Sequence, residues 1–257
     1  MSVTAVLLSG GLDSAVLAAE EAARGEIQPI YVRVGLAWED PEQTMVARLL
    51  ASDPLRAGVR PLVALTVDMR DVYAASHWAV QGTPPAYHTP DEDVYLPGRN
   101  VVLLAKAGVF CAAARIDRIV LGTLGHNPFP DATPAFRSAM AEALSLGLAH
   151  PLAVDAPYAE VSKAEVVRRG AALGVPFELT LSCMSPVSRL GFGIRDSGFA
   201  ARASTREPPE SGESQIPSSE SLLHCGLCSK CRERHDAFLE TGLTDPTEYA
   251  DARYVDA

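Results

Sequence analysis

The sequence lacks an apolar run long enough to span a membrane, and its first residues lack a basic segment followed by an apolar core and a cleavage site. We therefore expect a cytoplasmic protein without membrane association. Positive charge is also scarce, because 22 Lys and Arg residues face 32 Asp and Glu residues, for a formal net charge of −10. An acidic chain binds phosphate backbones poorly, so nucleic acid is not an expected partner.

Cysteine is sparse, with five residues in a chain of 257, and four of them lie late in the sequence. An odd count in a chain expected in the cytoplasm favours metal binding over disulfide bonds. The length allows one large α/β domain or one domain with a small appendage, and the apolar content of 47% supports a sizeable core.

The first glycine-rich turn lacks the Gly-Lys-Ser/Thr ending of a Walker A loop and the spacing of a G-x-G-x-x-G turn. It comprises residues 9–14, Ser-Gly-Gly-Leu-Asp-Ser, between an apolar run at 5–8 and apolar residues at helical spacing. A strand, glycine turn and helix in this order present backbone N–H groups and the positive end of the helix to an anion. The alternative is a capped turn without a ligand, and the order of the three features favours the anion site.

Further apolar runs predict a sheet of parallel strands. A strand, helix and strand within about 30 residues form a βαβ unit, and ligands bind such sheets at the carboxyl ends of their strands. The residues after the second strand, Trp38 and Glu39, are either rim residues of a site or plain loop residues. The predicted later strands cover 27–34, 61–69 and 118–123, and the predicted helices cover 41–51, 101–114 and 134–146.

Two basic residues precede or begin predicted helices. Arg99 follows a Pro-Gly turn, with Asn100 as a possible N-cap, and could bind a phosphate or carboxylate bidentately. Lys163 follows Ser162, which forms a capping box with Glu165, so its charge opposes the helix dipole unless an anion compensates. The alternatives are a turn with an exposed arginine and a solvated surface lysine.

Two overlapping C-x-x-C spacings near the end of the chain, together with one distant cysteine, predict a metal site. Four thiolates suit a closed tetrahedral zinc site of structural type, and an iron–sulfur cluster is the competing assignment. The adjacent His224 is a less favoured ligand, and Cys111, inside the helix at 101–114, is expected to be a small buried hydrophobe. The predicted ligands are Cys183, Cys225, Cys228 and Cys231.

Residues 9–14 resemble the PP-loop of the ATP pyrophosphatase superfamily. Pro-Gly-Arg-Asn at 97–100 and the cysteine tail resemble motifs of the 7-cyano-7-deazaguanine synthase family. The resemblance implies an α/β fold with a doubly wound, mostly parallel sheet, similar to adenine nucleotide alpha hydrolases, and a small zinc-binding tail. We expect an ATP-binding domain at 1–183, a flexible insertion rich in Ser, Pro, Glu and Gly at 184–223, and the tail at 224–257.

The resemblance also implies a reaction. ATP with Mg²⁺ activates 7-carboxy-7-deazaguanine, ammonia supplies nitrogen, and 7-cyano-7-deazaguanine forms in queuosine biosynthesis, in an enzyme that is a homodimer with one structural Zn²⁺ per chain. Asp13, Arg99 and Lys163 are the implied catalytic residues, and Arg99, Asn127, Phe129 and Asp131 the implied substrate-binding residues. The implied ATP-binding residues are Leu8, Ser9, Gly10, Gly11, Leu12, Asp13, Ser14, Ala15, Val16, Leu17, Ala18, Gly35, Gly122 and Lys163.

Two alternatives remain open. Residues 129–132, Phe-Pro-Asp-Ala, depart from the family's usual Tyr-Pro-Asp-Cys, which allows a related ligase that adenylates another carboxylate or base. The second alternative is a non-catalytic protein that binds a nucleotide or tRNA. It would use a basic patch of Lys230, Arg232 and Arg234.

Overall fold

Five parallel strands form the centre of this computed structural model, which describes residues 3–125, 127–189 and 222–255. These are β1 (Thr4–Leu7), β2 (Ile27–Arg33), β3 (Val63–Thr66), β4 (Arg118–Val120) and β5 (Ala153–Asp155). The helices are α1 (Leu12–Arg24), α2 (Glu39–Leu50), α3 (Trp78–Gln81), α4 (Arg99–Ala114), α5 (Pro134–Leu148), α6 (Lys163–Ala172) and α7 (Ser229–Thr241). A separate pair, β6 (Val187–Ser188) and β7 (Leu222–Leu223), is antiparallel.

The strand order is β3-β2-β1-β4-β5, and every pair in this sheet is parallel. The chain leaves β1 towards β2 and later returns to place β4 on the other side of β1, so the winding direction reverses between β1 and β4. In open parallel sheets this switch point leaves a crevice at the carboxyl ends of the strands. The loop after β1 and the loop after β4 therefore face each other across that crevice.

Both faces of the sheet are covered by helices. In β1, Ala5 belongs to the buried core on the side of α4, whereas Val6 belongs to the core on the side of α1 and α6. The neighbouring strands alternate in the same way, with Ile119 on the first side and Val120 on the second. Alternate residues are buried on both sides, which explains the continuous apolar runs of the strands. The predicted doubly wound α/β fold is confirmed.

Local boundaries differ from the predictions where short elements or side-chain contacts decide them. β5 was not predicted, because its three residues, Ala-Val-Asp, provide no apolar run. Asn100 is not an N-cap, since α4 begins one residue earlier at Arg99 and Gly98 occupies the cap position. The N–H of Asn100 instead donates to Asp131 Oδ2 at 3.0 Å. Cys111 is fully buried, as predicted.

The segment predicted as an insertion, 184–223, is described only at its two ends. Those ends contain β6 and β7, which pair with Val187 opposite Leu223. Residues 190–221 lie outside the described residues, so the two boundaries between the three predicted segments stay predictions. In the described part of the chain, none of the helices combines the length and apolarity needed to cross a membrane.

One buried arginine of α7 links this helix to the segment that follows α6 by hydrogen bonds. The guanidinium of Arg234, fully buried, donates to Thr180 Oγ1 at 2.7 Å, to the Phe177 carbonyl at 2.9 Å and to Thr247 Oγ1 at 2.5 Å. Arg232 pairs with Asp91 at 2.9 Å. The predicted basic patch of Lys230, Arg232 and Arg234 is therefore wrong, because Arg234 faces the interior.

Candidate functional site

A cleft of about 450 Å³ opens at the carboxyl ends of β1, β2 and β4. It combines residues of the 9–14 loop with residues of α4, α6, α7 and the loop after β4. Ten of the residues proposed from sequence line it: Leu8, Ser9, Gly11, Asp13, Ser14, Arg99, Gly122, Asn127, Phe129 and Lys163. The crevice expected at the switch point is thus present and brings together the two predicted basic residues.

The 9–14 loop is stabilised by its own side chains. Ser14 Oγ donates to the Gly11 carbonyl at 3.0 Å and accepts from the Ser9 N–H at 3.2 Å, and Ser9 Oγ accepts from the Gly11 N–H at 3.3 Å. Gly10 has φ +82°, and a Cβ there would lie 2.9 Å from Val46 Cγ2, so the turn requires glycine. Gly11 precedes α1 without a side-chain cap from the described residues, which leaves the first N–H groups of α1 facing the cleft.

The other residues proposed to bind ATP or substrate do not line the cleft that the described residues form. Gly10 shapes the turn, and Gly35, with φ +93°, lies against the side chain of Arg70. Asp131 is buried at the N-terminus of α4. Five residues of α1 are buried in the core with side chains directed away from solvent: Leu12, Ala15, Val16, Leu17 and Ala18.

Four charged side chains form a chain of ion pairs at one end of the cleft. Lys163 Nζ lies 2.9 Å from Asp13 Oδ2 and 2.8 Å from Glu233 Oε1, and Lys230 Nζ lies 2.5 Å from Glu233 Oε2. Asp13 Oδ1 is buried and has no hydrogen-bond partner among the described residues. The end of the cleft beside the α1 N-terminus therefore holds two ammonium groups and one free carboxylate oxygen.

Lys163 and Glu233, which form the central ion pair, are both charged at neutral pH. Burial acts to lower the pKa of Lys163, but the charges of Asp13 and Glu233 outweigh it and raise that pKa. Burial acts to raise the pKa of Glu233, and the charges of Lys163 and Lys230 outweigh it and lower that pKa. A phosphate entering the cleft thus meets Lys163 with its full charge.

A second polar group in the cleft joins β2 to α2. The hydroxyl of Tyr31 donates to Glu42 Oε2 at 2.6 Å, and both residues line the cleft together with Arg99. Burial raises the pKa of Glu42 to about 7, although the nearby charge of Arg99 opposes the rise. Arg99 Nε is buried and has no hydrogen-bond partner among the described residues. The arginine therefore has a donor available for an anionic ligand.

Replacement of the Glu42 carboxyl should change how the free energy of unfolding depends on pH. Folded Glu42 keeps its proton up to about pH 7, whereas the unfolded chain releases it near pH 4.5. The folded state therefore binds more protons between these values, and the free energy of unfolding falls as pH rises through them. Relative to wild type, we expect Glu42→Gln to gain up to about 3 kcal/mol between pH 5 and pH 8 in denaturant titrations. Glu142→Gln, an exposed carboxyl on α5, is the matched control, and an equal pH response in both variants would contradict the assignment.

The loop after β4 contributes an apolar wall and an amide. Asn127 Oδ1 accepts from the Phe129 N–H at 3.0 Å, which fixes the turn. The ring of Phe129 stacks on Tyr95 with centroids 5.0 Å apart. Asp131 Oδ2 accepts from the Asn100 N–H, while the Asp131 carbonyl accepts from Asn100 Nδ2 at 3.0 Å. Asp131 thus anchors the start of α4, next to Arg99, instead of facing the cleft.

The four predicted metal ligands converge. The Sγ atoms of the Cys cluster (Cys183, Cys225, Cys228 and Cys231) all lie within 4.8 Å of one another, and all four residues are buried. Cys225 Sγ and Cys231 Sγ are 3.8 Å apart, and tetrahedral Zn–S bonds of about 2.3 Å place sulfurs about 3.8 Å apart. Backbone N–H groups of Ser185 and Cys225 donate to Cys183 Sγ at 3.3 and 3.2 Å, as suits a thiolate. The donor set fits a metal ion; His224 instead accepts from the Ser182 N–H at 3.1 Å.

The turn inside the cluster leaves no room for a side chain. Gly226 has φ +75°, and a Cβ there would lie 1.8 Å from the Asp251 carbonyl oxygen. We expect Gly226→Ala to lower the free energy of unfolding by about 2–4 kcal/mol, through strain and overlap. Gly242→Ala is the matched control in thermal unfolding, because Gly242 has φ +70° and no atom within 4 Å of its added Cβ. Equal losses in the two variants would show that the contact with Asp251 has no effect.

Three cleft residues were missed from sequence. Glu42 lies three and seven residues before Met45 and Leu49, on the apolar face of α2, and a carboxylate on that face was the available signal. Lys230 and Glu233 flank the last ligand, Cys231; Lys230 was expected in a basic patch, and no role was predicted for Glu233. Their position in the cleft follows from the packing of α7 on α6, which no local pattern reveals.

Several known proteins are similar to this chain over nearly its full length. The model of the family QueC, queuosine biosynthesis protein QueC, matches residues 3–191. The 7-cyano-7-deazaguanine synthases of Methanopyrus kandleri and Methanoculleus marisnigri are each 30% identical, over 97% of this chain and 99% of their own. A predicted subunit of tRNA methyltransferase from Methanocaldococcus jannaschii, 15% identical, matches 66% of this chain and 75% of its own with a TM-score of 0.44. Because the family model matches residues 3–191 and relatives at 30% identity match nearly the full length, the chain belongs to the QueC family.

Proposed function

We propose that the protein uses ATP to convert 7-carboxy-7-deazaguanine and ammonia into 7-cyano-7-deazaguanine. One observation carries the proposal: a single cleft joins the 9–14 loop and Lys163 to Arg99 and Phe129. The first pair suits a polyphosphate, and the second suits a flat heterocycle that bears a carboxylate. The relatives named 7-cyano-7-deazaguanine synthase support the same substrate.

The reaction proceeds through adenylates. The substrate carboxylate attacks the α-phosphorus of ATP, and the bond to pyrophosphate breaks, which gives an acyl adenylate. Ammonia adds to the acyl carbon, and AMP leaves with loss of a proton to give the amide. The amide oxygen then attacks the α-phosphorus of a second ATP, pyrophosphate leaves, and loss of AMP and of both amide N–H protons gives the nitrile.

Chain residues assist these steps by position and charge. N–H groups at the start of α1 and the ammonium of Lys163 bind the phosphates, and Arg99 holds the substrate carboxylate. Asp13 Oδ1, a buried oxygen without a partner among the described residues, fits Mg²⁺, a hard ion that takes oxygen ligands. Mg²⁺ supplies charge neutralisation at the phosphates. In the Cys cluster, Zn²⁺ is the proposed ion and has a structural role.

The direct test combines purified protein with ATP, Mg²⁺, ammonium and 7-carboxy-7-deazaguanine, with mass detection of the products. We expect the nitrile. ATP consumption without nitrile would contradict the substrate assignment and leave adenylation in place, whereas no consumption of ATP would contradict both. Ammonia as nitrogen donor, a homodimer and a cytoplasmic location belong to the same proposal.

Arg99 should govern substrate affinity. Its buried Nε has no partner among the described residues, so Arg99→Met removes a charged donor aimed at the carboxylate. We expect KM for 7-carboxy-7-deazaguanine to rise by about 10–100-fold, with ATP affinity changed less than about threefold. Arg56→Met, at an exposed arginine away from the cleft lining, is the control. A loss of ATP affinity equal to the rise in KM would place Arg99 at the phosphates instead.

A related ligase with a different carboxylate substrate is the second candidate, and the loop after β4 favours it. Asn127 Oδ1 is engaged with a backbone N–H, and Asp131 faces α4, so this loop directs no carboxylate into the cleft. The same reaction mixture with a panel of carboxylates, in which AMP release is measured, distinguishes the two. Greater stimulation by another carboxylate than by 7-carboxy-7-deazaguanine would support the second candidate.

A further inference from the structure

The chain contains only three lysines, against 19 arginines, and two of the three line the cleft. Lys163 begins α6, whereas Lys230 comes from the first turn of α7, between two predicted metal ligands. A compact ammonium group offers three rotatable donors to phosphate oxygens, whereas the guanidinium of arginine is a rigid planar fork. Two of the three lysines thus lie at this end of the cleft, whereas positive charge elsewhere in the chain comes almost entirely from arginine.

Both ammonium groups are held by the same carboxylate. Glu233 Oε1 is 2.8 Å from Lys163 Nζ, and Glu233 Oε2 is 2.5 Å from Lys230 Nζ. A carboxylate that bridges two lysines keeps them a few ångströms apart, which is the spacing that neighbouring phosphate groups of one polyphosphate require. Lys230, with 30% of its side chain exposed, has access to a ligand in the cleft that the more buried Lys163 already lines.

The Cys cluster sets the position of Lys230. Cys228 is the N-cap of α7 and Cys231 lies in its first turn, so Lys230 is held between two predicted metal ligands. The segment that carries Cys183 is also tied to the phosphate loop, because the Leu181 N–H donates to the Gly10 carbonyl at 2.8 Å. The metal-binding tail and the 9–14 loop thus form one connected unit around the end of the cleft.

We propose that Lys230 binds the triphosphate of ATP together with Lys163, which makes the Cys-rich tail part of the nucleotide site. This inference rests on the proposed use of ATP. Because Lys230 makes a charged contact to phosphate alone, its loss should weaken binding of ATP and leave binding of adenosine unchanged.

Calorimetric titration of the metal-loaded full chain with Mg-ATP and with adenosine tests the proposal. We expect Lys230→Met to weaken ATP binding about tenfold or more and adenosine binding less than about twofold. Lys106→Met, at the third lysine, exposed on α4, should bind both as wild type does. Lys230→Arg keeps the charge but changes the shape of the donor, so it should bind ATP more tightly than Lys230→Met does. Metal content and unfolding temperature are measured on every sample.

The possible failures are distinguishable. If wild type binds ATP and Lys230→Met binds it equally well, this inference is overturned and the proposed function stands. An equal loss of ATP and adenosine affinity in Lys230→Met, or an equal loss of ATP affinity in Lys230→Arg, would show a packing effect and also overturn it. If wild type binds no ATP, the proposed function fails together with the inference.

Discussion

Lys163→Met is expected to weaken ATP binding by about a hundredfold and to abolish measurable turnover. The ammonium of Lys163 is charged at neutral pH, is largely buried, and lies at the α1 N-terminus beside the 9–14 loop. A buried charged donor to a phosphate oxygen contributes about 2–3 kcal/mol, and its effect is larger at a transition state that gains charge. Titration with Mg-ATP and product assays measure the two effects.

Removal of Lys163 also leaves Asp13 and Glu233 without one partner, so some loss of stability is expected along with the loss of binding. Lys163→Arg separates the effects, because it retains a positive charge for both carboxylates but changes the shape of the donor. Lys106→Met is the lysine control outside the cleft lining. Unchanged ATP affinity in a folded Lys163→Met protein would contradict the phosphate role of Lys163.

Cys228→Ser is expected to remove about one metal ion per chain and to cause a large loss of stability. Four buried sulfurs within 4.8 Å of one another form the only such group of cysteines in the described residues, and Cys228 is also the N-cap of α7. Structural zinc sites contribute on the order of 10 kcal/mol to the folding of small metal-dependent units. Loss of the ion should therefore release α7, with Lys230 and Glu233, from the cleft. Elemental analysis and thermal unfolding measure these changes.

The fifth cysteine provides the control. Cys111 is buried in α4, away from the cluster, so Cys111→Ala should keep the metal and most of the stability. Zinc is the expected element. Iron with acid-labile sulfide would replace the zinc assignment with an iron–sulfur cluster, and full metal content in Cys228→Ser would reject the ligand set.

The fold and those parts of the site that lie within short stretches of sequence were predictable, because their signals are local. The strand, the glycine turn and the helix around residues 9–14 occupy one short stretch, and the capping of α6 depends on Ser162 and the N–H of Glu165, 3.2 Å away. Cysteine spacing likewise indicated the metal cluster, since ligands on one turn are close in sequence. These features need no knowledge of distant packing.

The remaining parts of the site depend on packing between distant segments. Glu233 reaches Lys163 across 70 positions of sequence, and Asp131 reaches the start of α4 across 31. Arg234 was assigned to a surface patch, yet Thr180 and Phe177 accept its hydrogen bonds in the interior. In each case a polar residue near a motif has several possible partners, and only the docking of helices selects one.

We propose that this cleft divides ATP between its α and β phosphates to activate a carboxylate. Phosphorus NMR of the reaction with ATP, Mg²⁺, ammonium and 7-carboxy-7-deazaguanine measures it most directly. The account predicts AMP and pyrophosphate in equal amounts, formed only when the carboxylate is present. ADP with inorganic phosphate, or ATP consumption that does not depend on the carboxylate, would contradict it.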